Sequence, residues 1–381
     1  MELSLFKQAF IRTWLVKLLE EKVFSFSFLL AIFTSFIAAP KLSYIDFKVI
    51  FCLFNLMVVV CAFEDLKIMD KAAISIINKC GNLRLISLTM ISLTFFCSML
   101  VTNDVALLTF VPLTLKISRK TDFNPLKLII FQTLAANIGS SLTPMGNPQN
   151  LFLFTHYGIT ASQFFKLMLP FVFLGGLCLM ILGLTMPQSD LYVKFKSVKI
   201  KNKNQALLFG ILFLIIVLSV FNLLSYSFAF LLTIALVLLI DRNYMKKVDF
   251  LLLATFVCFF IFIGNLSHIE FINEHLKYLL NTDNRTFFTS IILSQFVSNV
   301  PASILIANFT DSWKQVLLGV NIGGMGTLIA SMASVISYKL YINEAGNDTS
   351  SSYLFRFTIY NCLGLMLFVA INYSLLHFSL I

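Results

Sequence analysis

Two short polar sequences interrupt long apolar runs, and their residues could bind cations. The letters "TND" at 102–104 divide the apolar run 85–115, and "SNVP" at 298–301 divides the run 286–309. A break in a membrane helix frees backbone carbonyls and amides, which are costly unless a neighbour, water or ligand satisfies them. The amide oxygens of Asn103 and Asn299 are hard, neutral ligands that suit sodium. We therefore predict one cation site at each break, with hydroxyl groups contributed by Ser98, Thr102, Ser294 and Ser298.

Asp104 is the only one of the 18 acidic residues that falls deep inside an apolar run. A carboxylate at that depth costs roughly 2.5–3.5 kcal/mol on insertion scales, which favours a functional role. We predict that Asp104 is the acid that couples transport to a cation or a proton. The alternative is structural, because Asp is a favoured N-cap and precedes the apolar arm 105–115. Val300 takes its place in the second sequence, so any charge coupling would be asymmetric.

Two further apolar runs, 126–157 and 316–341, are interrupted by related polar sequences. "NIGSSLTPMGNPQN" (137–150) aligns without gaps with "NIGGMGTLIASMAS" (321–334), just as "SMLVTNDVA" (98–106) aligns with "SQFVSNVPA" (294–302). The N-terminal ends of the resulting half-helices suit an anion. We predict that a substrate anion lies between the two cation sites. The residues predicted to contact it are Asn103, Asn137, Thr143, Asn147, Asn299, Asn321, Thr327 and Ser331.

The composition indicates an all-helical membrane protein that crosses the bilayer many times. Of 381 residues, 59% are hydrophobic and 12% are charged, and the mean hydropathy is +0.90. Such a chain could supply on the order of ten spans. The run 206–224 is apolar all round, which excludes the alternation of a β-barrel. The net charge is +10, but we predict no nucleic-acid partner. The seven cysteines lie far apart, so we also predict no metal site or cofactor.

The distribution of basic residues predicts the topology. If residues 85–115 form a re-entrant hairpin from one side and 286–309 one from the other, 22 of the 28 Lys and Arg residues fall on one side. Basic loops are favoured in the cytoplasm. The chain then divides into an interfacial amphipathic helix (1–22), a first repeat (23–186), a basic cytoplasmic loop with a linking span (187–227) and a second, inverted repeat (228–381). We predict a plasma (inner) membrane protein with a cytoplasmic N-terminus and lipid contacts.

The paired motifs "SxxxTND" and "SxxxSN", followed by "ANIGSSLTPMGNPQN" and "VNIGGMGTLIAS", resemble the ion transporter superfamily. It includes divalent-anion/sodium symporters, citrate transporters and arsenite permeases. The resemblance covers the chain from about residue 23, and it implies a homodimer with an elevator mechanism. It also adds Gly146 to the first cation site, and Val297 and Ala330 to the second.

The hairpin tips depart from the dicarboxylate symporters, whose tips read Ser-Asn-Thr. Asp104 and Val300 stand where those proteins have Thr, so the tip Asn103-Asp104 is more similar to the arsenite permease branch.

These features predict a secondary active transporter, not an enzyme, that moves a small carboxylate or inorganic anion. Sodium and protons are the candidate coupling ions. Arsenite or antimonite efflux is the first alternative, and sodium/proton antiport follows it. A channel is a second class, because opposed half-helices at "NPQN" and "SNVPA" are also similar to the Asn-Pro motifs of aquaporins; the additional, discontinuous spans argue against it.

Overall fold

A computed structural model describes residues 22–121, 123–190 and 194–377 of the chain. Its secondary structure is helical there, apart from one isolated bridge between Asn82 and Asp190. The interfacial helix predicted for residues 1–22 lies outside these ranges except for Lys22. The helices of the first half are α1 (Lys22–Ser35), α2 (Phe47–Asp65), α3 (Ile68–Ile77), α4 (Leu83–Val101), α5 (Asn103–Thr121), α6 (Leu126–Ser140), α7 (Pro148–His156) and α8 (Ala161–Leu184).

The second half contains ten further helices. They are α9 (Lys203–Val220), α10 (Tyr226–Ile240), α11 (Asn243–Lys246), α12 (Phe250–Leu266), α13 (Glu270–Leu279), α14 (Asp283–Val297), α15 (Asn299–Ala307), α16 (Trp313–Gly323), α17 (Met332–Ala345) and α18 (Ser350–His377). Short 3₁₀ turns at Pro144–Gly146 and Leu328–Ala330 separate α6 from α7 and α16 from α17. The helices are therefore interrupted at the four positions where the sequence predicts a break.

Among the residues that the structure describes, five helices are long and apolar enough to cross a membrane alone, namely α2, α4, α8, α9 and α18. A sixth candidate combines α12 with α13, which are bent by 101° relative to each other. These helices identify a multi-pass membrane protein. The number is below the ten or so spans that composition allows, because the breaks divide much of the apolar sequence into helices that are shorter than a span.

Side-chain caps fix where several helices begin. Asn82 accepts a hydrogen bond from the amide of Leu85 at 2.8 Å, and Asp249 accepts one from Leu252 at 3.0 Å. Such caps satisfy amides that have no partner within the helix. The pair α4–α5, hereafter hairpin 1, spans Leu83–Thr121, and α14–α15, hereafter hairpin 2, spans Asp283–Ala307. Hairpin 1 is longer than the predicted 85–115, because its helices continue beyond the apolar run into charged sequence.

The connections that carry most of the basic residues contact one another. Asp65, at the end of α2, pairs with Lys201 at 3.3 Å and with Lys247 at 3.0 Å. Arg119 of α5 pairs with Glu344 of α17. Further contacts at this end are Asn78 Nδ2 to Phe195 O at 3.0 Å, Arg84 Nε to Met186 O at 2.9 Å and Lys127 Nζ to Thr185 Oγ1 at 2.9 Å. We call this surface, built by the connections after α2, α5, α8, α10 and α17, the basic end.

A second group of connections meets at the other ends of these helices. Lys48 Nζ donates to Asn222 Oδ1 at 2.5 Å, and Tyr157 OH donates to Thr310 O at 2.9 Å. The Tyr44 ring lies 5.7 Å from that of His268. We call this surface, built by the connections after α1, α7, α9, α12 and α15, the opposite end. Helix α2 runs between the two surfaces, from Phe47 to Asp65.

The hairpins and half-helices pack in a regular, crosswise manner. The first arm of each hairpin packs against the half-helix that follows it, α4 against α6 and α14 against α16. The second arm of each packs against a half-helix from the other part of the chain, α5 against α17 and α15 against α7. Helices α1, α2, α9, α10 and α12 contact one another beside this central group. The crosswise packing brings both pairs of breaks into one region.

The two ends should face opposite sides of the membrane. Single cysteines replacing Lys199 or Arg242 at the basic end should react with a membrane-impermeant maleimide from one side only. Single cysteines replacing Leu223 or Glu274 at the opposite end should react only from the other side, since all four positions are exposed. Labelling of right-side-out and inside-out vesicles of a variant without the native cysteines measures this. Reaction of Lys199→Cys and Leu223→Cys from the same side would contradict it.

Candidate functional site

Each hairpin turns through a single strained residue at its tip. Thr102 has φ 79° and ψ 153°, and Ser298 has φ 74° and ψ 154°. This backbone region is essentially reserved for glycine and costs other residues on the order of 1–3 kcal/mol. Two non-glycine residues thus adopt the same unfavourable conformation at matched positions. Strain of this kind persists only where the surrounding packing imposes it.

The two tip asparagines, Asn103 and Asn299, are both buried. Asn103 Nδ2 donates to Asn137 Oδ1 at 3.4 Å, and its own Oδ1 accepts from the amide of Asp104 at 3.0 Å. At the second tip, the Ser298 hydroxyl lies 3.4 Å from Asn299 Oδ1 and 3.4 Å from the carbonyl oxygen of Ala330. Three residues predicted for the second cation site therefore lie together.

The predicted ligands Ser98 and Ser294 lie where a hairpin arm packs against a half-helix. Ser98 donates to Phe95 O at 2.8 Å, and Ser294 donates to Ser290 O at 2.7 Å, so each hydroxyl proton remains within its own helix. A Cβ atom on Gly139 would lie 2.6 Å from Ser98 Oγ, and one on Gly323 would lie 2.9 Å from Ser294 Oγ. The absence of a side chain at each glycine therefore lets the helices approach this closely.

The other predicted cation-site residues, Gly146 and Val297, occupy turns or packing positions. A Cβ atom on Gly146 would lie 2.1 Å from the Ser140 carbonyl oxygen, so this 3₁₀ turn folds tightly onto the end of α6. The turn also packs against α4, which places Gly146 beside hairpin 1. Val297 is the last residue of α14 and packs half-buried against the core.

Thr143 and Thr327 join each broken segment to the neighbouring hairpin. Thr143 Oγ1 donates to Met99 O at 2.5 Å, and Thr327 Oγ1 donates to Gln295 O at 3.0 Å. Met99 and Gln295 follow the matched serines Ser98 and Ser294 by one residue, so the two contacts are equivalent. Thr327 is exposed, whereas Thr143 is half-buried. The role predicted for these hydroxyls in anion binding remains a prediction.

The two broken helices are joined crosswise by their asparagines. Asn137 Oδ1 accepts from Ser331 Oγ at 3.0 Å, and its Nδ2 donates to Gly324 O at 3.5 Å. Reciprocally, Asn321 Oδ1 accepts from Asn147 Nδ2 at 3.2 Å. Asn147 and Ser331 are matched residues, and each precedes the first residue of a second half-helix. Each broken helix thus satisfies a buried amide of the other.

Two further polar side chains complete the centre, and the sequence analysis does not select either. Asn150 donates to Ser141 O and Thr143 O, both at 3.3 Å, and accepts from Asn321 Nδ2 at 2.6 Å. Gln295 donates to Gly323 O at 2.7 Å and accepts from the amide of Thr327 at 2.9 Å. Asn150 is the last residue of the aligned sequence "NPQN", and this position is the signal that could have identified it as a site residue. Gln295 faces Met99 in the alignment, and the repeat therefore gives no signal for it.

Comparison with known proteins identifies the family. The family model for citrate transporters matches residues 10–315, which is most of the chain. The chain belongs to the citrate transporter family. The resemblance to the ion transporter superfamily is thereby confirmed, and so is its classification as a membrane transporter of the citrate transporter type.

Several curated relatives of this citrate transporter family member are named as transporters or membrane proteins. An uncharacterized transporter of Methanocaldococcus jannaschii is 39% identical over 299 residues, which cover 78% of this chain and 81% of the relative. The inner membrane protein YbiR of Escherichia coli is 29% identical over 78% of this chain and 80% of its own. A putative transporter arsB of Dictyostelium discoideum is 28% identical over 35% of this chain and 24% of its own.

In this citrate transporter family member, Asp104 is the second residue of α5, directly beside the tip of hairpin 1. Its Oδ1 atom is buried and has no hydrogen-bond partner within the part of the chain that the structure describes. A buried carboxylate oxygen without a partner is costly. Such an oxygen is available to a cation, a proton or water.

The close approach of α6 to α4 predicts that Gly139→Ala destabilises the protein. The new Cβ would lie 2.2 Å from the Phe95 carbonyl oxygen, so backbone must move, and overpacking of this kind costs about 1–3 kcal/mol. The thermal unfolding midpoint in detergent should fall by several degrees. Gly210→Ala in α9 is the matched control, because its Cβ meets nothing within 4 Å and the midpoint should stay equal or rise. Equal midpoints for the two variants would contradict the packing.

Proposed function

We propose that this protein is a secondary active transporter of a small anion, coupled to sodium or protons, that binds the anion between its two hairpin tips. The crosswise bonding of Asn137 and Asn321 is the observation that carries the proposal. It draws half-helices that begin at Asn103, Pro148, Asn299 and Met332 toward one polar centre. Helix N-termini that converge in this way favour a negative charge.

We propose further that residues 23–186 and 228–381 are inverted repeats. Three matched features support this: the backbone of Thr102 and Ser298, the packing of Gly139 and Gly323, and the bonds of Thr143 and Thr327. Hairpin 1 has its base at the basic end and hairpin 2 at the opposite end, as inversion requires. Residues 187–227 would supply the single additional helix, α9, that links the two repeats.

The proposed mechanism is an elevator movement of the hairpins and broken helices against the remaining helices. The arms of both hairpins pack crosswise on both broken helices, so this group can move as one unit. The stationary group would comprise α1, α2, α9, α10 and α12. Large apolar side chains are exposed on these helices, for example Phe33 and Leu239, and would contact lipid or a second copy in a homodimer. The basic end would face the cytoplasm of a cell with this protein in its plasma membrane.

The cation sites are proposed at the two tips. Ser298, Asn299 and Ala330 already lie within one group of oxygens, whereas the first site would form from Asn103, Thr102 and the turn at Gly146. Asn137, Asn147, Asn321 and Ser331 would offer the anion their amide and hydroxyl hydrogens when it displaces their mutual bonds.

Arsenite or antimonite efflux is the second candidate function. The tip Asn103-Asp104 favours it, as does the partial similarity to the relative named putative transporter arsB.

Uptake into proteoliposomes tests the function. Carboxylates, sulfate, phosphate and arsenite are offered singly, with sodium and pH gradients imposed separately. We expect saturable uptake of one class of anion that depends on one of the two gradients. Flux that neither saturates nor responds to a gradient would indicate a channel and would contradict the proposal.

Asp104→Asn should change the sodium or pH dependence of transport while leaving the protein folded. The substitution keeps the shape of the side chain but removes the charge that couples to a cation or proton. The measurement is uptake rate against each gradient, with size-exclusion behaviour as the check on folding. Asp348→Asn, at an exposed position of the basic end, is the control and should have no effect. If both gradient dependences are the same as in wild type, Asp104 has no part in coupling.

A further inference from the structure

A cavity of about 590 Å³ opens at the basic end between hairpin 1 and α3. Leu108, Thr109, Pro112 and Lys116 line it from α5. The facing wall comes from the end of α2, from α3 and from the segment 195–198. The volume falls within the roughly 300–1,000 Å³ of pockets that hold small molecules.

The α5 wall of this cavity is more polar than its sequence implies. Pro112 has no amide hydrogen, so the carbonyl of Leu108 loses its usual partner four residues later in the helix. Leu108, Thr109 and Pro112 all line the cavity, as do the charged residues Glu64, Lys67, Asp70 and Lys116. Unpaired backbone at membrane depth is tolerated where it lines a hydrated cavity. A cavity of this size with four charged side chains in its wall is polar and large enough to hold water.

The cavity leads toward the tip of hairpin 1. Leu108 lies one helical turn after Asp104, and a helical side chain covers the turn that precedes it. Leu108 is also 46% exposed, so it is not held in the core. Met69, which also lines the cavity, packs with Val60, Val101 and Val105 in a small apolar cluster. This cluster and Leu108 therefore separate the cavity from the tip residues Asn103 and Asp104. These apolar side chains must move before the cavity and the tip are connected.

Four charged residues line the cavity, and two of them form an ion pair with each other. Lys67 and Asp70 form an ion pair at 3.0 Å and largely cancel. Lys116 and Glu64 also line the cavity, and neither has an ion-pair partner in the described part of the chain. Lys116 is exposed on α5, between the tip and the basic end. Its ammonium group is free to attract an anion, and the Glu64 carboxylate opposes that attraction.

We propose that this cavity is the vestibule through which the transported anion passes between the basic end and the tip of hairpin 1, and that Lys116 attracts the anion into it. The inference rests on the proposed function, since it names the route to that same site. Lys116 acts through long-range attraction and does not contact the bound anion at the tip. Its effect must therefore depend on salt and on the side from which the anion arrives.

The kinetic test uses radiolabelled citrate, or sulfate or phosphate if citrate is not carried, presented to either face of oriented vesicles at low ionic strength. Lys116→Gln should raise KM about three- to fivefold from the basic end only, as expected for one lost unit charge near the path, and leave the maximal rate unchanged. The increase should disappear at high salt, and Lys116→Arg should behave as wild type. Glu64→Gln should shift KM in the opposite direction. Lys246→Gln, exposed at the same end but outside the cavity, is the control and should change nothing.

A second test does not need transport. A single cysteine at Thr109 should react with a membrane-impermeant, negatively charged methanethiosulfonate from the basic end and not from the opposite end. A single cysteine at Leu100, which is exposed on the apolar surface of α4, should react at least tenfold more slowly because it faces lipid. Failure of Thr109→Cys to react from either end would overturn the vestibule.

The two proposals fail in different ways. If wild-type vesicles carry no anion of the panel, the proposed function fails, and the reactivity of Thr109→Cys still decides whether the cavity is open to water. If citrate, sulfate or phosphate is carried but Lys116→Gln changes KM equally from both ends, or not at all, the vestibule is wrong while the function stands.

Discussion

Two buried asparagines, Asn137 and Asn321, hold the centre of this protein together. Each lies near the end of a half-helix within otherwise apolar sequence, where lipid offers no hydrogen bonds. The amide of each must therefore find partners in protein, and each finds them beyond the break of the other broken helix, at Ser331 and Asn147. This exchange requires both breaks to occupy the same region, and the hairpins and half-helices converge as a result.

The surrounding structure adapts to that requirement. Gly139 and Gly323 bring the half-helices against the hairpin arms, and Thr102 and Ser298 accept an unfavourable backbone conformation so that the arms can reverse. The two halves are nevertheless chemically different. Asn150 binds two carbonyls of the first break, whereas Ser334, which stands at the matched position, has a buried Oγ with no hydrogen-bond partner in the described residues. Asp104 adds a carboxylate to one tip only, so a matched architecture can carry an asymmetric function.

Much of this arrangement follows from the sequence, because breaks and repeats are local signals. The interruptions at 102, 141–147, 298 and 324–331 are visible in the letters, and each separates two helices. The hydrogen-bond partner of a side chain, in contrast, cannot be inferred from the local sequence. An alignment shows that Thr143 matches Thr327, but only three-dimensional distance shows that both donate to hairpin carbonyls. The alignment also gives no signal for Gln295, because this residue is matched with the apolar Met99. Lys116 cannot be distinguished in the sequence from an ordinary basic residue near a helix end.

A double-mutant cycle across the two broken helices tests the central claim most directly. The free energies of unfolding of Asn137→Ala, Ser331→Ala and the double variant are compared, and then those of Asn321→Ala, Asn147→Ala and their double variant. The structure predicts a coupling energy of about 0.5–3 kcal/mol within each pair, because each pair shares one buried hydrogen bond. Strictly additive effects in both cycles would show that the halves do not meet at these residues, and the shared centre would not exist.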